Sequence, residues 1–352
     1  MNEGCQFSVL GTFSPYKISL ETIRYGTAIV NPDDFSIYSG SAQSNAFVIA
    51  GTNIFPRGLV WTGSGTAACV LDLHLKWSGR LLASGTFDRN GKPGTFRLNV
   101  DGDGSLIESI GDVSFSGVDV CYVNKGMTFT ANEGHTIDAS NFTYYKNAQD
   151  DSGKELICYK LGKGTLAIGS DLPPKFQINE GTVAVKSTRS DLAGMVFLGG
   201  SITVRYDTPG CRLDEITNEI ELSRVKFESG MDLSVLSPGV VLFASSNESI
   251  RTAMYNALSR NVPEGFEVKI VRDEIILTEY NPNTFDSSKG LELTSGEAWK
   301  KGSVPVGEDV IIAGGGTVVL KKTARQRLLI ICSPRNLTLP VTLSVSALLS
   351  GE

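Results

Sequence analysis

Most of the chain consists of short segments in which apolar and polar side chains alternate, a pattern that predicts β-strands. β-Branched and aromatic residues are frequent in these segments, and Gly, Asn, Asp or Pro separates one segment from the next. The clearest examples are residues 47–50, 69–73, 95–100, 183–185 and 202–204. The pattern predicts a predominantly all-β protein whose body is a β-solenoid or a β-sandwich.

The first part of the chain carries the turn residues of antiparallel hairpins. Asn90-Gly91 separates the strand-like residues 81–87 from residues 95–100, and an Asn-Gly pair favours the positive φ angles of tight hairpin turns. The sequence Asp-Gly-Asp-Gly that follows at residues 101–104 predicts the next turn. We therefore expect an N-terminal antiparallel β domain over residues 1–118.

From about residue 120, a glycine followed by alternating apolar residues recurs, at Gly126, Gly164, Gly181, Gly200 and Gly230. Gly181 lies nearly midway between Gly164 and Gly200, and the interval from Gly126 to Gly164 is about twice as long as either half. A repeat of about 20 residues that carries a strand and a turn is typical of a β-solenoid, in which stacked turns share one core. Residues 119–243 are therefore predicted to be solenoid-like, with Gly164, Gly181 and Gly200 at equivalent corners.

Two neighbouring segments carry a family resemblance. The sequence Lys160-Leu-Gly-Lys-Gly-Thr-Leu-Ala-Ile168, followed by Ile178-Asn-Glu-Gly-Thr-Val-Ala-Val185, resembles rungs of right-handed parallel β-helices, as in autotransporter passengers and phage tailspikes. The resemblance implies the geometry of the rungs and little chemistry. The chain lacks the signal peptide, the Gly-Asp-Ser-Gly protease motif and the C-terminal barrel segment expected of an autotransporter, so the resemblance agrees better with a phage or virion component.

One segment, residues 247–261, has the apolar periodicity of a helix. Asn247 is the expected N-cap, and Pro263 stops the helix. Two strands should follow at residues 266–271 and 274–278, joined by a two-residue hairpin turn. Helix and hairpin together predict a small α+β insert.

The insert is expected over residues 244–300, and a C-terminal β segment over residues 301–352 follows it. We predict that the insert projects from the β body and contacts other subunits through Arg251, Tyr255 and Arg260, because Arg and Tyr are enriched at interfaces. The alternative is that the apolar stripe of the helix only covers the hairpin of the same chain, and both arrangements can hold together. The stripe consists of Ile250, Met254 and Leu258.

Composition and charge narrow the function classes. The chain has 352 residues, of which 38 are Gly, and 32 Lys and Arg against 38 Asp and Glu give a formal net charge of −6. A hydrophobic fraction of 41% is enough for a packed core. The net negative charge argues against a surface that tracks nucleic acid, which needs clustered cations. No apolar run is long enough for membrane insertion.

The sequence predicts no metal or cofactor site. Asp101 and Asp103 have the spacing of a calcium-binding loop, but Ile110 occupies the position of the bidentate carboxylate, so a turn explains the segment better. The six cysteines contain no CxxC pair, which argues against zinc. We expect all six to be reduced thiols.

The sequence also predicts no catalytic residue. His74 lies in a strand pattern and His135 lies in a turn, and neither belongs to a nucleophile motif. Carboxylate pairs of the glycosidase type, about 5–10 Å apart, remain open. The candidates are Asp112 with Asp119, and Asp207 with Asp214 and Glu215.

These observations predict a structural, assembly or binding component of a virus-like particle: a phage capsid, decoration or tail protein. We expect it to form a homo-oligomer, to contact other assembly subunits and to have a glycan as a further partner. The N-terminus shows no secretory signal, so we expect assembly in the host cytoplasm and a place in the virion, with a cytoplasmic protein as the alternative. The alternative function is a carbohydrate-active β-helix enzyme, a lyase or glycosidase that uses groove carboxylates. A cytosolic β-sandwich with a ligand pocket is a third class.

Overall fold

The computed structural model describes residues 6–13, 19–22, 26–35, 44–62, 69–145, 157–188, 195–199, 201–213, 225–280, 282, 284–286, 295–303 and 311–313. The chain divides into two compact units. The first comprises Met1–Val262 and Val268–Leu277, and the second comprises Pro263–Glu267 and Thr278–Glu352.

The first unit contains a β-solenoid of about 7 turns, in which parallel strands stack into two sheets. Sheet A has 15 strands: β1 (Gln6–Phe13), β3 (Thr27–Phe35), β5 (Thr52–Phe55), β6 (Gly58–Val60), β8 (Arg80–Asp88), β10 (Ser105–Gly117), β12 (Met127–Thr130), β13 (Thr136–Ala139), β15 (Ile157–Leu161), β16 (Thr165–Ile168), β17 (Lys175–Ile178), β18 (Gly181–Val185), β19 (Met195–Phe197), β20 (Ile202–Tyr206) and β22 (Val225–Ser229). Sheet B has 6 strands: β2 (Ser19–Thr22), β4 (Ser44–Ile49), β7 (Val70–Leu75), β9 (Thr95–Val100), β11 (Val120–Val123) and β14 (Phe142–Tyr144).

Sheet A forms two faces of the solenoid, and sheet B forms the third. The long strands β8 and β10 belong to both faces of sheet A. The first half of β8 pairs with β5 and its second half with β6, and the first half of β10 pairs with β12 and its second half with β13. In the turns up to β14, the chain then crosses to sheet B, where β7, β9 and β11 pair in parallel register, whereas the described strands from β15 to β20 all belong to sheet A. The β-solenoid resemblance is therefore confirmed, and it extends well beyond the two rungs that carried it in the sequence.

The length of a turn varies along the solenoid. Cys158 pairs with Phe176 on the next turn, whereas Thr128 pairs with Tyr159, so the turn that starts at Thr128 is much the longer of the two. The longer turn includes a strand of sheet B, β14, whereas no described strand of sheet B lies between Cys158 and Phe176. This variation explains why the sequence repeat is irregular.

The predicted inward positions of the solenoid are confirmed. Leu166 pairs with Val183, and Val183 pairs with Val204, so these three side chains form one column. Thr165 pairs with Thr182, so Gly164 and Gly181 occupy equivalent positions as predicted, and Gly200, the third predicted corner, lies outside the described residues. The six side chains predicted to point inward are all buried: Leu166, Ile168, Val183, Val185, Ile202 and Val204.

Phenylalanine rings form a continuous interior stack along the solenoid. Successive ring centroids lie 4.9–6.5 Å apart, a spacing at which aromatic pairs attract each other in addition to burying apolar area. The stacked residues are Phe47, Phe55, Phe87, Phe115, Phe142, Phe129 and Phe176. They link sheet A to sheet B through the core.

The predicted antiparallel N-terminal domain is wrong. Asn90 and Gly91 do adopt positive φ angles of 54° and 64°, but the turn joins β8 of sheet A to β9 of sheet B, and these strands do not pair with each other. An Asn-Gly pair with positive φ angles can therefore form the corner of a solenoid as well as the turn of a hairpin. Parallel pairing continues across residue 118, since β10 and β11 both belong to the stack.

The last predicted glycine-led strand is also wrong. The residues after Gly230 form a 3-10 helix, Leu233–Val235, instead of a strand. Asp232 caps this helix, because its side chain accepts a hydrogen bond from the backbone nitrogen of Ser234. The last strand of sheet A is β22, which ends just before this segment.

The predicted helix is confirmed as α1 (Glu248–Leu258), and a 3-10 turn extends it over Ser259–Asn261. Its N-cap is Asn247, whose Oδ1 accepts hydrogen bonds from the backbone nitrogens of Ser249 and Ile250 at 3.0 and 3.2 Å. The helix packs against β22, and its apolar stripe is buried. The stripe therefore covers the last strand of sheet A, which neither sequence alternative anticipated, and the helix caps this end of the stack.

The predicted hairpin after the helix is confirmed as β24 (Phe266–Val271) and β25 (Glu274–Glu279), with Arg272 at φ 56° in the turn. It belongs to a 4-stranded sheet with β21 (Cys211–Arg212) and β23 (Val241–Ala244), in the order β21-β23-β25-β24. In the second unit, β26 (Thr284–Asp286) pairs in parallel with β27 (Ile311–Ala313), and Gly296–Ala298 forms a 3-10 helix. Most of the C-terminal β segment predicted at residues 301–352 lies outside the described residues, and the predicted domain boundaries at 243 and 300 stay predictions.

Candidate functional site

A polar cluster lies on the outer face of sheet B. Leu71, Leu73 and Leu75 of β7 point into the core and are fully buried, so the alternating residues Asp72 and His74 lie on the opposite face. Asp72 pairs in register with Arg97 of β9, and His74 pairs with Asn99. Tyr122 of β11 follows in the same row as Asn99. Three successive turns thus place their polar outward residues side by side.

Arg97 and Asp72 form a two-pronged ion pair. Nε of Arg97 donates to Oδ1 of Asp72 at 2.6 Å, and Nη2 donates to Oδ2 at 2.9 Å. The Asp72 side chain is only 4% exposed, although it lies on the outer face. Burial alone would raise the pKa of this carboxyl, but the hydrogen bonds from His74 and Arg97 outweigh burial and hold the pKa below its ordinary value. Asp72 is therefore an ionised, tightly held carboxylate.

His74 lies between two carboxylates. Its Nδ1 is 3.1 Å from Oδ2 of Asp101 on the next turn, and its Nε2 is 3.7 Å from Oδ2 of Asp72 on its own strand. The Asp72 carboxylate raises the pKa of the imidazole most, burial opposes this shift, and Asp101 adds to it, so that the pKa lies above its ordinary value. Asp101 also accepts a hydrogen bond of 2.8 Å from Nδ2 of Asn124 on the following turn.

The corner beside this cluster requires a glycine. A Cβ atom on Gly102 would lie 2.0 Å from the backbone nitrogen of Trp77, the corresponding corner of the preceding turn. The turn predicted at residues 101–104 is confirmed, but it is a corner between sheets B and A. The two corners are therefore packed backbone to backbone, and the position of Trp77 depends on the position of Asp101 and Gly102.

Three exposed aromatic residues lie on or just after the strands of sheet B. Trp77 is 70% exposed, Tyr145 is 59% exposed and Tyr122 is 47% exposed. The backbone nitrogen of Tyr145 donates to the carbonyl of Val123, which places Tyr145 directly after β14 on the same side. Trp77 also has a φ angle of 45°, a conformation that bulky residues rarely adopt and that is frequent at functional sites. The chain thus displays a large apolar ring in a strained corner.

The arrangement is suited to binding. It combines flat aromatic surfaces with hydrogen-bond donors and acceptors that are already held in place, and this combination is typical of sites for small polar ligands. The charges are mixed, since Arg97 and Lys76 lie among Asp72, Asp101 and Asp103, so the face lacks the cationic groove that nucleic acid needs. We call this surface, comprising Asp72, His74, Trp77, Arg97, Asn99, Asp101, Tyr122, Asn124 and Tyr145, the sheet B face.

Three of the carboxylates that the sequence offers as glycosidase candidates have partners within the fold. Asp112 accepts a hydrogen bond from the backbone nitrogen of Thr136 at 2.7 Å. Asp119 accepts one from the backbone nitrogen of Phe96 at 2.7 Å and is paired with Arg89. Asp207 is held by both Nε and Nη2 of Arg205. Asp214 and Glu215 lie outside the described residues.

The three predicted interface residues differ in their surroundings. Arg251 is 14% exposed, because its Nη1 donates to the carbonyl of Ser245 at 2.6 Å and lies 3.6 Å from Oδ1 of Asp273. Tyr255 is half-buried, and Arg260 is exposed. Contacts between subunits through these residues stay a prediction, and Arg251 contributes chiefly to the fold of its own chain.

Among the described residues, no group of three or more His, Cys, Asp and Glu is arranged to hold a metal ion. Four cysteines are buried free thiols, as predicted: Cys69, Cys121, Cys158 and Cys211. Cys5 and Cys332 lie outside the described residues.

Sequence reasoning missed the sheet B face, although a signal was present. The segments Asp72-Leu-His74 and Arg97-Leu-Asn99 each place two polar residues on either side of a core leucine. Such pairs mark one outward face when the strands stack in parallel register. The predicted antiparallel domain over residues 1–118 excluded the parallel register of these two segments, so the shared face was not recognised.

The sequence matches no protein-family model and no curated protein, and the fold matches no solved structure. In the part of the chain that the structure describes, the helices are too short or too polar to cross a membrane.

Proposed function

We propose that this chain is a structural and binding component of a virus-like particle, a phage tail, decoration or capsid protein that forms a homo-oligomer. We further propose that the sheet B face binds a glycan. The observation that carries the binding proposal is Trp77, which is strained and 70% exposed beside a row of fixed polar side chains. Nζ of Lys76 lies 5.8 Å from the centroid of this ring, but most of the side chain stays exposed, and a partner explains a large exposed ring in this conformation better.

A glycan agrees with the chemistry of the face. One side of a sugar ring presents C–H groups that stack on aromatic rings, and its hydroxyls both donate and accept hydrogen bonds. Tyr122 and Trp77 supply the rings, while Asn99, Asp101 and Arg97 supply acceptors and donors that are already oriented by neighbouring turns. Orientation before binding reduces the entropy lost on association.

The proposal of an assembly component rests on the solenoid and on the tailspike-like rungs in the sequence. A stack of turns whose end is covered by a helix with a polar outer side suits a building block that meets its neighbours through chosen surfaces. The test is the mass of the purified chain in solution by light scattering and sedimentation. We expect a defined homo-oligomer, and a monomer at all concentrations would contradict this part of the proposal.

A carbohydrate-active enzyme is the second candidate. It is favoured by Asp72 and Asp101, two carboxylates that lie on the same face as the exposed rings. Against it, Asp72 is held by Arg97 with a lowered pKa, and a general acid needs a raised one. Incubation with polysaccharides and measurement of new reducing ends or unsaturated products separates the two candidates: binding without turnover supports the binding component, and turnover supports the enzyme.

A further inference from the structure

His74 is placed to connect two turns of the solenoid. Its ring lies between Asp72 on β7 and Asp101 at the corner of the next turn, with separations of 3.7 and 3.1 Å. The side chain is 26% exposed, so protons from solvent can reach it. A neutral imidazole carries one N–H and can donate to one of these carboxylates, whereas the protonated ring carries two and can donate to both.

The other groups that face His74 come from each neighbouring strand. On the β9 side, Arg97 neutralises Asp72, and Asn99 adds a donor to the same carboxylate at 3.4 Å. Beyond them lies Tyr122 of β11, and Lys76 follows on the same turn as His74. On the β4 side, the register partner of His74 is the uncharged Val48.

The two carboxylates therefore depend on His74 to different degrees. Asp72 keeps both bonds to Arg97 whatever the state of the imidazole. Among the described residues, the side-chain partners of Asp101 within 3.1 Å are Nδ2 of Asn124 and Nδ1 of His74. Asp101 is also the first residue of the corner whose Gly102 packs on the backbone of Trp77. The protonation state of His74 therefore affects how firmly Asp101 is held, and with it the corner that packs against Trp77.

We propose that His74 is a pH-sensitive clasp: when protonated, it bridges Asp72 and Asp101, fixes the corner beside Trp77 and strengthens ligand binding by the sheet B face. This inference rests on the proposed glycan-binding function and adds its regulation. The thermodynamic linkage between protonation of His74 and ligand binding determines the direction in which affinity changes with pH. Binding that favours the clasped form is tighter below the pKa of His74, and the bound ligand raises that pKa in return.

The clasp itself is tested without any ligand. The chain has only 2 histidines, so NMR of histidine-labelled protein shows two ring signals, and the H135Q variant assigns them. We expect D101N to lower the titration midpoint of His74, because it removes the negative charge beside Nδ1. We also expect the free energy of unfolding of the wild type, relative to H74Q, to fall as the pH rises through the midpoint, because a raised pKa stabilises the protonated state. An unchanged midpoint in D101N would overturn the clasp.

Regulation is tested by titrating three hexasaccharides, one neutral (cellohexaose), one N-acetylated (chitohexaose) and one acidic (oligogalacturonate), by calorimetry at pH values on both sides of the midpoint. We expect affinity at the lower pH to be about three- to tenfold higher for the wild type and for H135Q, and equal at both pH values for H74Q. Binding that is independent of pH in the wild type would overturn the regulatory proposal. Failure of all three sugars to bind would contradict the proposed function, while the NMR midpoints would still decide whether the clasp exists.

Discussion

Gly102 and Trp77 are in contact through their backbones, so closely that a Cβ atom on Gly102 would lie 2.0 Å from the nitrogen of Trp77. Real Cβ atoms do not approach backbone this closely, so one corner must move if Gly102 is replaced. We expect G102A to destabilise the protein by about 2 kcal/mol or more, measured by urea unfolding. D103A, at the exposed neighbouring position, should change the free energy of unfolding by less than about 0.5 kcal/mol. Equal effects of the two variants would contradict this packing.

The shared core of the solenoid is tested at Val183. This side chain is fully buried between Leu166 and Val204 of the adjacent turns. V183D places an unpaired charge there and should cost several kcal/mol or prevent folding. Thr182 lies on the other side of the same strand and is partly exposed, so T182D is the matched control. If T182D were as damaging as V183D, the assignment of inward and outward faces would be wrong.

The burial of Lys160 should make the free energy of unfolding depend on pH. It is fully buried, and its Nζ donates to the backbone carbonyls of Gly162 and Gly164. Burial lowers the pKa of its ammonium group to about 8, and the charge of Glu180 opposes the shift. The value in an unfolded chain is about 10.4. Between these values the unfolded chain binds more protons, so stability should rise with pH.

The measurement compares the free energies of unfolding of the wild type and K160M from about pH 7 to about pH 10.5, a range that spans both pKa values. The wild type should gain stability relative to K160M above a pH of about 8, because the folded form then releases the proton whose charge was costly to bury. Parallel curves for the two proteins over this range would show that Lys160 is not buried with a lowered pKa.

The helix α1 and its 3-10 extension carry two arginines with different surroundings: Arg251 has contacts within the chain, and Arg260 is exposed. R251A removes a hydrogen bond to the carbonyl of Ser245 and the contact with Asp273, and it should cost about 1–3 kcal/mol. R260A, at an exposed position, should cost less than about 0.5 kcal/mol.

Loss of assembly in the double variant Y255A/R260A, with unchanged stability of the subunit, would support an interface on this helix. Unchanged assembly would contradict it.

Structural features that depend on residues close together in the chain were predicted correctly from the sequence. The cap at Asn247, the turn at Arg272 and the equivalence of Gly164 and Gly181 were all predictable, because each is determined within one or two segments. The placement of β8 and β9 in different sheets was not predictable, since Asn90-Gly91 has the same positive φ angles in a hairpin and in a solenoid corner.

The contact of His74 with Asp101 could not be predicted either. It joins separate turns of the solenoid, so its prediction needs the length of the turn between them. The turns that start at Thr128 and at Cys158 differ greatly in length, and such variation leaves no fixed repeat from which the contact could be derived.

The central claim, that the sheet B face is a binding surface, is tested most directly by calorimetric titration of the hexasaccharides into wild type, W77A, Y122A and the control Y280A. Tyr280 is 40% exposed and lies outside the sheet B face. Because truncation of a central aromatic contact typically costs more than about 1 kcal/mol of binding free energy, we expect W77A and Y122A each to weaken binding by about tenfold or more. Y280A should bind as the wild type does. Undiminished binding by both W77A and Y122A would contradict the assignment of the sheet B face as the binding surface.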